Sequence, residues 1–169
     1  IWRKAHGIDP SPVIAFNERK SISTERTFAK DTTDVEKLRG ILVAMTENLA
    51  YQLRRGRKLT ACVSVKIRYA DFDTRSLQAR IPYTSSDPVL IHKIKSLFEQ
   101  LYNRRVQFRH IGVRCSHLVE GGFPMDMFDA AEDRTEPYRA LDQIRTPYGD
   151  RRIAKPTGRE ARQLRRPQP

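Results

Sequence analysis

Apolar and polar positions alternate most regularly between Leu59 and Tyr69. Leu59, Ala61, Val63, Val65, Ile67 and Tyr69 are interleaved with Thr60, Cys62, Ser64, Lys66 and Arg68. A two-residue period predicts a strand with one packed face and one polar, basic face. A turn at Ala70-Asp71 separates it from a second alternating run ending at Ile81. There Leu77, Ala79 and Ile81 share one side, and Thr74, Ser76, Gln78 and Arg80 share the other. Upstream, Ser21 to Phe28 is rich in β-branched and hydroxyl residues and predicts a strand. Downstream, Val106 to Leu118 predicts another whose phase breaks. Val106 and Phe108 are even-numbered, whereas Ile111, Val113 and Cys115 are odd, so the spacing calls for one extra residue, a bulge, around Arg109-His110.

Two segments instead follow the helical period. Val35, Leu38, Leu42, Met45, Leu49 and Leu53 form a stripe introduced by Thr33 or Asp34 as N-cap. Arg54 and Arg55 complement the carbonyl end of the helix dipole, and Gly56 is the expected left-handed cap. Leu90, Ile94, Leu97, Phe98 and Leu101 form the second stripe, starting near Ser86 or Asp87 with Pro88 at the first helical position. The order strand, helix, strand, strand, helix, strand predicts an α+β fold, β-α-β-β-α-β, with a mainly antiparallel four-stranded sheet and both helices on one face. Beyond Leu118 the periodicity fades. Gly121 to Pro124 reads as a loop, Met125-Asp126-Met127-Phe128 as a small apolar cluster and Glu136 to Ile144 as a short helix. The basic, proline-containing stretch 154–169 reads as disordered.

If both helices cover the same side of the sheet, the other side is left open. Its expected residues are Ser21, Ser23, Lys66, Arg68, Thr74, Ser76, Arg80 and Arg114: hydroxyls and cations, the groups that bind a phosphate backbone. Composition points the same way. The 169 residues hold 32 Lys plus Arg against 20 Asp plus Glu, a formal charge of +12, which favours a polyanionic partner. No apolar run is long enough to span a membrane, and the start of the chain does not read as a signal peptide. Cys62 and Cys115 read as buried free thiols of a reducing cytoplasm, not as a disulfide framework or zinc site. His6, His92, His110 and His117 lack metal spacing, and the carboxylates fall in caps, turns and an acidic stretch. No catalytic residue, metal site or cofactor site is therefore expected in this chain, and it is expected to be a monomer.

Motifs in order along the chain sharpen this reading. They are Ala5-His6-Gly7-Ile8-Asp9, Lys20-Ser21-Ile22-Ser23-Thr24-Glu25-Arg26-Thr27-Phe28, Lys66-Ile67-Arg68-Tyr69-Ala70-Asp71-Phe72, Ile111-Gly112-Val113-Arg114-Cys115-Ser116 and Tyr138 to Arg145. With them the chain resembles the Y-family, or translesion, DNA polymerases of the bacterial DNA polymerase IV group, specifically their C-terminal little finger domain. The resemblance, which covers about residues 1–153, implies a thumb exit and linker at 1–19, the DNA-binding domain at 20–118 and a C-terminal extension at 119–153, ahead of the basic tail at 154–169 read from composition. It also implies that the domain lies along primer–template DNA, holding its backbone phosphates, within a cytoplasmic, error-prone polymerase active on damaged templates. The magnesium-binding carboxylates of such an enzyme belong to a palm domain preceding residue 1, so Mg2+ is expected in the parent and not in this chain.

Carried over position by position, the resemblance implies DNA contacts at Lys20, Ser21 and Ser23, at Lys66 and Arg68, at Arg75, Ser76 and Arg80, and at Arg109, Gly112 and Arg114. Gly112 is expected to let the backbone approach DNA closely. His110 departs from the second of two consecutive basic residues found in some relatives. The family's sliding-clamp peptide would correspond to Met125, Met127 and Phe128, with Pro124 where a glutamine is expected; the alternative is that this cluster folds back onto its own domain. Two other readings stay open: an RNA-binding split βαβ module, and a docking piece whose sheet is only scaffold.

Overall fold

The computed structural model describes residues 2–12, 18–104, 106–121 and 135–148. Its elements are α1 (Trp2–Ala5), β1 (Ser21–Thr32), α2 (Val35–Arg55), β2 (Lys58–Tyr69), β3 (Thr74–Thr84), α3 (Asp87–Leu101), β4 (Phe108–Glu120) and α4 (Thr135–Tyr148). The predicted α+β succession is therefore present. A single helical turn, α1, lies within the stretch read as linker, and the helix expected at Glu136 to Ile144 extends to Tyr148.

The strands form one antiparallel sheet in the order β1-β4-β2-β3. The most buried strands, β2 and β4, lie at the centre. Pro82, which has no amide to donate, lies in the edge strand β3. The bulge expected in β4 is present: Arg68 faces His110 and Tyr69 faces Phe108, so Arg109 has no partner on β2. A second irregularity lies between β2 and β3. Thr60 is opposite Thr84 while Cys62 is opposite Arg80, which puts the additional residues on β3.

Val63, Val65, Ile67, Ile111, Val113 and Cys115 pack from the sheet against Leu38, Leu42, Leu49 and Leu53 of α2 and Leu90, Ile94 and Phe98 of α3. Tyr69, Phe98, Tyr102 and Phe108 form an aromatic group at one end of this core, with the Tyr69 and Phe108 rings 5.0 Å apart. α2 is buried over more than the predicted stripe, since Val43, Glu47 and Ala50 are also enclosed. Asp34 provides its N-cap by accepting the Lys37 amide at 3.0 Å.

The C-cap differs from expectation. Gly56 has φ −84°, and the left-handed residue is Arg57 at φ 48°. The Gly56 amide still closes the helix by donating to the Gln52 carbonyl, and the reversal of the chain falls one residue later. Pro88 stands second in α3, after Asp87. Thr60 and Cys62, which the alternation puts on a polar face, are buried. The Thr60 hydroxyl is satisfied there by donating to the Ser116 carbonyl at 2.7 Å. Cys62 and Cys115 are both free and buried, as expected.

Candidate nucleic-acid interface

Because the strand order is β1-β4-β2-β3, the register sets the open face out as four rows. They run Ser21–Ser116–Cys62–Arg80, Ser23–Arg114–Ser64–Gln78, Glu25–Gly112–Lys66–Ser76 and Thr27–His110–Arg68–Thr74. Residues from four strands, far apart in sequence, thus meet on one surface. Of the residues expected to contact DNA, Ser21, Ser23, Lys66, Arg68, Ser76, Arg80, Gly112 and Arg114 all lie here, and Lys20 is exposed immediately before β1. The middle of the face is a shallow concavity of about 560 Å³ bordered by Glu25, Lys66, Ser76, Gln78, Gly112 and Arg114.

The cations are held without being neutralised at most positions. Arg114 donates to Ser21 Oγ at 3.0 Å, and Arg68 donates to Thr74 Oγ1 at 2.8 Å. Each hydroxyl orients a guanidinium and leaves its charge uncompensated. Arg80 is exposed, and among the described residues no carboxylate pairs with Arg68, Arg80 or Arg114. A forked, permanently charged donor set of this kind suits phosphate oxygens.

Two expected contacts lie elsewhere. Arg75 alternates with the wrong side of β3: it faces Ile67 in register and shares the helix-covered face with Leu77, Ala79 and Ile81. There it bonds Asp73 and the Asn103 amide oxygen, each at 3.0 Å, while Arg104 bridges Asp71 and Asp73. Arg75 thus ties the β2–β3 turn to the end of α3. Arg109, displaced by the bulge, has its guanidinium 4.9 Å from the Phe72 ring centre and 3.8 Å from Asp31. The bulge gives its place on the open face to His110, which faces Arg68 and Thr27.

The charge of the face also differs from expectation. Glu25, absent from the expected set, occupies its centre. Its carboxylate accepts from Lys66 Nζ at 3.0 and 3.2 Å, and His110 Nε2 lies 3.2 Å from it. The hydrogen bond from Lys66 holds the Glu25 carboxyl below the usual glutamate range, with the lysine and histidine charges adding to the effect and partial burial opposing it. The side chain also lies over Gly112, where an added Cβ would stand 2.9 Å from Glu25 Cγ. The space expected to admit DNA backbone is thus filled by a carboxylate. The signal was present in the sequence: Glu25 is odd-numbered like Ser21 and Ser23, and alternation alone puts it on their face.

Met125, Met127 and Phe128 lie outside the described residues, as does the stretch 154–169. Among the described residues no group of three or more His, Cys, Asp or Glu side chains is placed to hold a metal ion. No helix among them is long and apolar enough to cross a membrane.

Comparison with known proteins agrees with this architecture. Residues 19–127 match the impB/mucB/samB family C-terminal domain. A DNA polymerase IV from Clostridium acetobutylicum is 35% identical over 156 residues, covering 89% of this chain and 39% of that protein. One from Methanoculleus marisnigri is 36% identical over 122 residues, covering 72% of this chain and 34% of the relative. The chain therefore spans well under half the length of these relatives. A Y-family DNA polymerase chimera of known structure superposes with a TM-score of 0.55 at 19% identity, covering 70% of this chain and 34% of the chimera, a likeness of fold. By the family match, the identities and the sheet that carries them, the chain belongs to the impB/mucB/samB family C-terminal domain, the little finger domain of Y-family DNA polymerases.

Proposed function

We propose that this chain is the DNA-holding, non-catalytic part of a longer DNA-directed DNA polymerase that acts in damage bypass and repair. In this reading it is a cytoplasmic monomer that grips primer–template duplex through backbone phosphates. The observation that carries the reading is the set Arg68, Arg80 and Arg114 on one sheet face, none of them paired with a carboxylate among the described residues and two of them oriented by hydroxyls. The groups are permanently charged and stand on paired strands, so they present a regular pattern to an anionic backbone. Interactions of this kind read phosphate spacing and carry no base sequence.

The test is a titration of the chain against a primer–template duplex at several salt concentrations. Each phosphate neutralised releases counterions and adds about 0.9 to the magnitude of the logarithmic salt slope. Replacing Arg68 and Arg114 by Ala is expected to weaken binding alike on unrelated duplex sequences. Each substitution should also reduce that magnitude by about 1, because one phosphate fewer is neutralised. An affinity indifferent to salt and to both substitutions would overturn the proposal.

A further inference from the structure

We propose that Glu25 is an internal stand-in for a DNA phosphate: its carboxylate occupies a phosphate position on the open face, bound to Lys66, and is displaced when DNA binds. The inference rests on the DNA-holding reading above and adds to it a residue that opposes binding.

Three observations on independent parts of the sheet converge on this residue. Glu25 is the one carboxylate in the four rows that make up the open face. Its two oxygens lie 3.0 and 3.2 Å from Lys66 Nζ, and His110 Nε2 is 3.2 Å from the second. An oxyanion between an ammonium and an imidazole has the surroundings that a phosphate oxygen would seek there. Finally, Gly112 on the central strand β4 has no side chain, and Glu25 lies in the space this leaves, 2.9 Å from where a Cβ would stand. Glu25 and Lys66 stand on β1 and β2 with β4 between them, so their ion pair crosses Gly112 and any larger residue there would obstruct it.

The arrangement has a direct energetic consequence. Lys66 cannot add its full charge to duplex binding while Glu25 holds it, and an incoming phosphate meets a like charge at the centre of its path. The pair is about two-fifths exposed on both sides, with side-chain exposures of 37% and 45%, so separating it is inexpensive. Glu25 thus reduces the grip without blocking it, and it keeps a cationic groove occupied by an anion of the chain's own in the absence of DNA.

The experiment compares the 169-residue chain with its Glu25→Gln, Lys66→Ala and double variants by duplex titration across salt concentrations, with thermal melts to establish that each is folded. Glu25→Gln is expected to tighten duplex binding about two- to fivefold, the scale of one exposed ion pair. It should also steepen the logarithmic salt slope by about 0.9, because Lys66 becomes free to displace a counterion. In the Lys66→Ala background the same substitution should gain markedly less. Unchanged or weaker binding by folded Glu25→Gln would overturn the inference, the weaker result meaning that Glu25 positions Lys66 for DNA. An equal gain with and without Lys66 would also overturn it, leaving only general charge repulsion. The Arg68→Ala and Arg114→Ala variants separate the two levels: if these leave wild-type binding unmoved, the DNA-holding reading itself fails, and the role of Glu25 fails with it.

Discussion

At the scale of single residues, the same residue type can stand on either side of the sheet. Cys62 and Cys115 are both free and buried, yet they belong to opposite sides of the sheet, since Cys115 is opposite Val63 and Cys62 is opposite Ser116. Burial pushes the Cys115 thiol up to about 12. Above the thiol's ordinary value of 9.0 the unfolded chain gives up a proton that the folded chain keeps, so stability falls as pH rises between that value and about 12. Denaturant melts at about pH 8 and about pH 10 should show wild type losing on the order of 1 kcal/mol more than Cys115→Ala. Equal losses would mean that the thiol ionises freely in the folded protein. Arg75 and Arg80, on one strand, make a similar contrast. Their five-residue separation puts them on opposite faces, one building the β2–β3 turn and the other exposed on the open surface.

At the scale of elements, the end of α2 does more than complement a dipole. The Arg54 side chain is buried, donating to Asp87 Oδ1 at 2.6 Å, to Asp142 at 2.6 and 3.0 Å and to the Ser85 carbonyl at 3.0 Å. Its guanidinium also lies 5.1 Å from the Tyr138 ring centre. Burial disfavours its charge, but the bonds to Asp142 and Asp87 outweigh that and hold its pKa above the usual arginine value. One side chain thus joins α2, the start of α3 and α4. Arg54→Ala would leave Asp87, 2% exposed, as an uncompensated buried charge, a loss of about 3–5 kcal/mol. Chemical denaturation should show that loss, and limited proteolysis should cut the α4 segment much faster than in wild type. A change within about 0.5 kcal/mol, the range of an ordinary surface substitution, would show that the network does not fasten these elements.

At the scale of the whole molecule, the distribution of side chains between the two faces of the sheet bears on the choice between the proposed duplex-gripping face and a base-stacking module. RNA-binding modules of comparable topology stack bases on aromatic side chains of their central strands. Here the aromatic residues of the central strands, Tyr69 and Phe108, lie in the core, and the four open rows contain none. Phe72, 64% exposed, sits in the β2–β3 turn beside Arg109 instead. In direct competition at moderate salt, a primer–template duplex should displace a single-stranded RNA of equal length. Preference for the RNA would favour the stacking module over the phosphate-gripping face.

The linear pattern of residues determined the elements and the assignment of most side chains to a face. A two-residue period cannot be shifted by one without exposing Val63, Val65 and Ile67 together, and the phase break in Val106 to Leu118 could be resolved only by the bulge that Arg109 occupies. The motifs were likewise sufficient for the family. Tertiary structure alone decided which strands are neighbours. Glu25 reaches Lys66 because β4 lies between β1 and β2 with a glycine at the crossing point, and Arg54 is enclosed because Asp87 and Asp142 arrive from distant segments. Periodicity records the environment of each residue one strand at a time. The charge balance of a surface built from four strands depends on strand order and register, which are fixed by packing between segments far apart in the chain.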